Sequence, residues 1–111
     1  MIKVKDAHGV PYDGPGHFNV FGIKKITGEQ AKHFICNYSY FLPNGGCVMG
    51  AAPKERIYYM ISGNMTCNGK DGEKHELEPG DLLYIAPGEQ RDMVITGGKP
   101  AEVLVIMATE E

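Results

Sequence analysis

Apolar residues along the chain fall in short segments rich in Val, Ile, Tyr and Phe, separated by Gly and Pro. That pattern belongs to many strands joined by tight turns. Strands are expected near residues 2–5, 18–25, 33–42, 56–62, 64–67, 74–77, 82–86, 91–96 and 102–108. So many strands in 111 residues predict an all-β sandwich or barrel. Residues 28–31 are compatible with a helical turn, but Cys36, Tyr38 and Tyr40 then alternate with Ile35, Asn37 and Ser39, as in a strand. Asn68-Gly69 and Asp71-Gly72 lie between two such segments, and each pair readily takes the positive φ angles of a tight turn. A hairpin over 64–77 is the firmest local expectation.

Composition supports this picture. Gly (15) and Pro (7) are in excess of average usage, and the longest stretch free of both, 29–42, leaves no room for a helical bundle. At 42% hydrophobic and 23% charged residues the chain is ordinary globular material. At this size roughly two-thirds of the unfolded surface is buried on folding, which suits one core and a single domain over 1–111.

A formal charge of −3 with no basic cluster argues against nucleic acid or an anionic membrane as partner. No segment reads as a membrane span or a signal peptide, so a cytoplasmic location is expected. Cys36, Cys47 and Cys67 are odd in number and show no C-x-x-C spacing, which suggests neither a disulfide framework nor a zinc knuckle. Nothing beside Cys47 in sequence would make it a catalytic thiolate. Gly14-Pro15-Gly16 is a turn and not a dinucleotide fingerprint, since Asn19 stands where a third Gly is needed. His8, His17, His33 and His75 are dispersed, without the spacing that puts two imidazoles on one metal.

One region is more specific. Pro43-Asn44-Gly45-Gly46, then the segment from Arg56 through Tyr58 and Met60 to Gly63, then Glu78-Pro79-Gly80-Asp81 and Pro87-Gly88 resemble, in order and spacing, the two motifs of single-domain cupins. The resemblance covers residues 43–107. It implies an antiparallel jelly-roll barrel, open at one end over an internal pocket, with the motif Gly and Pro residues at its turns. It also implies a homodimer, formed by packing sheet faces and exchanging N-terminal strands, for which residues 1–30 with Phe18, Val20 and Phe21 are the material.

Where metal-binding members carry two His, a Glu and a third His, this chain has Gly50 and Ala52 (or Ala51 and Pro53), then Arg56, then Arg91. No ligand position keeps a metal-binding side chain, so no metal and no other cofactor is expected. If those positions face inward, strand alternation turns Arg56, Tyr58 and Met60 inward on one strand and Arg91 and Met93 on another. Two guanidiniums in one cavity suit a carboxylate or phosphate. The competing expectation is that Glu55, Asp81, Glu89 or Asp92 neutralise them at the rim. The candidate ligand-binding set is therefore Arg56, Arg91, Tyr58, Glu55, Met49, Met60 and Met93, with the methionines as an adaptable apolar wall. The expected function is a metal-independent cupin that binds or transforms a small anionic compound, with Tyr58, Glu55 or His33 as candidate acid or base. The alternatives are a non-catalytic small-molecule sensor or carrier, and a metal-dependent dioxygenase-type cupin using atypical ligands such as His17, His33 and Cys36.

Overall fold

The computed structural model describes residues 1–109. Nine antiparallel strands form it: β1 (Val10–Tyr12), β2 (His17–Ile26), β3 (Phe34–Gly50), β4 (Arg56–Ser62), β5 (Asn64–Gly69), β6 (Lys74–Leu77), β7 (Leu82–Ile85), β8 (Arg91–Thr96) and β9 (Ala101–Ala108). They are hydrogen-bonded in the order β6-β5-β8-β3-β9-β4-β7, with β2 also on β3 and β1 on β2. The 17-residue β3 organises the fold. Its first half pairs with β9, from Phe34↔Ala108 to Phe41↔Ala101. Its second half pairs with β8, at Gly46↔Val94 and Cys47↔Met93. One strand thus joins both walls of a nearly closed barrel.

Alternation along each strand fills that barrel. Arg56, Tyr58 and Met60 on β4, and Arg91, Met93 and Ile95 on β8, are buried. Met60, Leu77, Ile95 and Ala101 pack one end solidly, and the other end is open. β4 and β8 both run from the open end towards the packed end, so each contributes its arginine near the mouth and apolar residues below it. Among the described residues no helix is long and apolar enough to cross a membrane.

Three local expectations need correction. Residues 2–5 form no strand; the first strand is β1, an edge strand paired Val10↔Lys24 and able to hold Pro11 because one side of it needs no donor. The preceding segment is tied down by Lys25, whose Nζ donates to the carbonyls of Asp6 and His8 at 2.7 Å each. Pro43-Asn44-Gly45-Gly46 does not reverse the chain. Phe18 faces Gly46 while Val20 faces Phe41, so β3 takes up the extra residues as a bulge, with Asn44 (φ 63°) and Asn19 opposite it (φ 52°) both in the left-handed region. In the β5–β6 hairpin, Asp71 and Gly72 make the turn, at φ 64° and 84°. Gly69 stays extended at φ −95°, because Asn68 still pairs with Lys74 and the amide of Gly69 still donates to the carbonyl of Glu73.

Candidate functional site

The open end of the barrel encloses a cavity of about 540 Å³. Its apolar wall includes Phe41, Met49, Met65, Met93, Val103 and Val105. Its polar groups are Tyr12, Arg56, Tyr58, Arg91, His17, Asn37 and Ser39, and the rim is made by the 14–16 and 50–53 loops. Of the side chains singled out from sequence, Arg56, Tyr58, Arg91, Met49 and Met93 line this cavity. Met60 does not line it, lying fully buried in the packed end. Glu55, one residue before the inward Arg56, turns outwards and accepts a hydrogen bond from the Tyr84 hydroxyl at 2.9 Å.

The arginines are the unusual feature. Arg56 is 3% exposed and Arg91 8%. Arg91 donates long hydrogen bonds, Nη1 to the Gly50 carbonyl and Nη2 to the Tyr58 hydroxyl, both at 3.3 Å, and its Nε has no partner. Arg56 has no partner at Nε or at Nη2. The carboxylates expected to neutralise them are engaged elsewhere. Glu55 is bound to Tyr84, Asp81 accepts from the Glu78 amide at 2.8 Å, Glu89 from the Ala86 amide at 3.0 Å, and Asp92 from the Asn68 side chain at 2.9 Å. Among the described residues the ion pairs are Lys74–Glu76 and His75–Glu73, and neither involves an arginine. Two buried cations therefore share one cavity without a counter-charge among the described residues, an arrangement that costs several kcal/mol per ion unless something pairs with it.

The surroundings respond accordingly. Burial holds the Arg56 guanidinium below its usual range, and the charge of Arg91 adds to that. For Arg91 burial is the largest single influence and acts in the same direction, but the Tyr58 hydroxyl and the Cys47 and Cys67 thiols act against it and the net shift is upwards. Burial pushes the Cys47 thiol up, and the Cys67 thiol up to about 11, so neither is a thiolate near neutral pH. Asn37, 5% exposed, has an amide oxygen without a partner.

Residues 41–107 match the family described as Cupin domain, over more than half the chain. The chain belongs to the cupin family. Solved structures agree on the fold of this cupin. The polyketide cyclase RemF from Streptomyces resistomycificus superposes with a TM-score of 0.86 at 24% identity, over 99% of this chain and 80% of that one. An RmlC-like cupin from Shewanella frigidimarina gives 0.78 at 13%, over 96% and 89%. A predicted oxalate decarboxylase from Thermotoga maritima gives 0.79 at 16%, over 96% and 98%. No curated protein matches the chain.

The residues present do not fit the metal of metal-binding cupins. Gly50, Ala51, Ala52, Pro53, Arg56 and Arg91, which cover the family's ligand positions under either count, all line the cavity. None of their side chains offers a lone pair, since a guanidinium stays protonated. The atypical set fails as well, because His17 is on the cavity wall while His33 and Cys36 are not. Among the described residues no three His, Cys, Asp or Glu side chains come together as a metal site. Sequence reasoning had no hold on His17 as part of a metal-free pocket. Its place follows from the pairing His17↔Cys47, which puts it on the inward face, and that register depends on the bulge between Phe18 and Val20.

Proposed function

We propose that this cupin binds a small organic anion, a carboxylate or phosphate on an apolar body, in the barrel without a metal ion. The observation that carries this reading is the set of buried guanidinium nitrogens without partners, Nε and Nη2 of Arg56 on β4 and Nε of Arg91 on β8, in one cavity whose lining is largely apolar. A bound anion supplies the charge that Glu55, Asp81, Glu89 and Asp92 do not. The neighbours' names run from a polyketide cyclase to a predicted oxalate decarboxylase, so fold likeness selects no substrate. Titration calorimetry with benzoate, phenyl phosphate and the neutral benzamide tests the proposal. The anions should bind about 10- to 100-fold more tightly than the amide, the range expected for hydrogen bonds to a charged group. Equal binding of benzoate and benzamide would sink the anion reading. The free thiols of Cys36, Cys47 and Cys67 are consistent with work in a reducing compartment such as the cytoplasm.

The working unit we propose is a homodimer. Tyr59 and Ile61 on β4, Leu82 and Tyr84 on β7 and Ile106 on β9 are all 36% or more exposed, on the outward face of adjacent strands. An apolar sheet face of this kind is self-complementary under a two-fold axis and lies on the side of the wall away from the cavity. Light scattering at micromolar concentration should give twice 12.2 kDa, and Leu82→Glu should give the monomer mass. A wild-type monomer would refute the assignment.

A further inference from the structure

His17 is the one imidazole on the cavity wall among the described residues, and its hydrogen bonding fixes its chemistry. Its Nδ1 stands 2.9 Å from the carbonyl oxygen of Pro15. A carbonyl only accepts, so Nδ1 carries the hydrogen and, in the neutral ring, the lone pair is on Nε2. The ring's hydrogen-bond partners are backbone groups of Pro15 and Gly14. His17 lies opposite Cys47, which in turn lies opposite Met93, so the ring shares the inward face with β8, two residues from Arg91. The loop of Gly14, Pro15 and Gly16 that orients it is part of the same rim.

We propose that the cavity catalyses proton transfer at the carbon next to the ketone of a 2-oxo acid, with Nε2 of His17 as the base and the two guanidiniums holding the carboxylate and the ketone oxygen. The inference rests on the anion-binding reading above and deepens it. In the step, the C–H bond beside the ketone breaks and its proton goes to Nε2. The bonding pair becomes the new C=C bond, and the ketone oxygen becomes an enolate. Return of the proton to carbon restores the 2-oxo acid, and its return to oxygen gives the enol, so no oxidant, metal or second substrate is consumed. The substrate enters with one negative charge and reaches the enolate with two. A single arginine would suffice to bind it, whereas two without carboxylate partners match the charge that develops. The apolar wall of Met49, Met93 and Phe41 takes the substituent on the reacting carbon.

The imidazole is kept in its basic form. Burial lowers the pKa of His17, and Arg91 and Arg56 lower it further against the opposing backbone bonds to Pro15 and Gly14. The charged and titratable groups sharing the cavity with it are Arg56 and Tyr58 on β4, Arg91 on β8 and Tyr12 on β1, with Cys47 facing it from β3. Burial raises Tyr12 and Cys47, so both are neutral at the pH where His17 acts.

The test uses phenylpyruvate, an aromatic 2-oxo acid, in D2O, with loss of its C3 proton signal followed by NMR and binding measured in parallel by calorimetry. Wild-type protein should accelerate exchange at least 100-fold over buffer, with a rate that rises with pH through a pKa below 6.5 and then levels off. His17→Gln should lose about 100-fold or more of that rate with Kd changed less than about 3-fold. In the wild-type protein, 15N spectra should show His17 protonated on Nδ1 and bare on Nε2. Exchange by His17→Gln at the wild-type rate, the opposite tautomer, or phenylpyruvate that binds but exchanges only at the buffer rate would overturn the base assignment and leave the anion reading standing. Absence of any phenylpyruvate binding would overturn both.

Discussion

Arg56→Met should melt several degrees above the wild type in the absence of ligand, and the same substitution should cost about 10- to 100-fold in affinity for benzoate. The two effects have one cause. Arg56 is buried at 3% exposure with Nε and Nη2 unpaired, so the ligand-free barrel bears the desolvation of a cation that no described carboxylate pairs with. Methionine fills similar volume without charge. Replacing buried ionic groups with well-packed apolar ones is commonly neutral or stabilising by about 1–4 kcal/mol, and for a domain near this size each kcal/mol moves the midpoint by about 4 °C. Arg91→Met provides the internal comparison. Arg91 already donates to Gly50 and Tyr58, so its removal leaves a carbonyl and a phenol with less to bond and should gain less stability, or none. Paired urea and thermal melts with calorimetry decide the matter. An Arg56→Met protein that melts below the wild type and still binds benzoate normally would show that Arg56 is a structural residue. A stabilised, non-binding variant would place this pocket among sites that trade stability for function.

The same residues show how far a single sequence reaches. The inward positions of Arg56, Tyr58 and Met60 were legible because a strand has a period of two and the Gly63 turn fixes where β4 ends. The replacement of metal ligands by Gly50, Ala52, Arg56 and Arg91 was legible because the motif spacing anchors those positions. Three features were not. Glu55 looks like a partner for either arginine in sequence, yet it precedes β4 and turns towards Tyr84 on the neighbouring strand, a contact set by the pairing of β4 with β7. His17 and Asn37 join the cavity from β2 and β3, whose mutual register is shifted at Phe18/Val20 and at Lys24/Ile26, and no hydrophobic pattern predicts a bulge at either place. Pro43-Asn44-Gly45-Gly46 has the composition of a turn, but a strand held by partners on both sides can absorb extra residues without reversing. Local chemistry decides which angles are possible, and long-range pairing decides which are used.

Gly46→Ala should abolish the fold or cost more than about 3 kcal/mol, the largest effect expected of any single methyl group in the chain. Gly46 is paired on both sides, with Phe18 of β2 and Val94 of β8. A Cβ at this position would collide with the carbonyl oxygen of Met93 and stand 2.8 Å from its carbonyl carbon. The obstacle is backbone, so no rotamer change relieves it. β8 must move away from β3, or β3 must shift its register. Gly72→Ala separates this steric demand from the ordinary cost of losing a glycine. Gly72 is at φ 84° in the β5–β6 turn, with nothing within 4 Å of a Cβ, so alanine there meets only the left-handed backbone penalty of about 1–2 kcal/mol. Urea midpoints and soluble yields of the two variants should therefore differ widely. A Gly46→Ala protein within about 1 kcal/mol of the wild type would mean that β3 and β8 do not approach this closely in solution. The consequence for function follows from the same pairing. Arg91 lies opposite Gly50, four residues beyond Gly46 on β3, and its Nη1 donates to the carbonyl of Gly50. Any wedge at Gly46 that leaves the barrel folded still displaces Arg91 from Arg56 across the cavity. Whatever folded fraction remains should then bind benzoate weakly, because the glycine that lets two strands touch also keeps the two guanidiniums on one cavity.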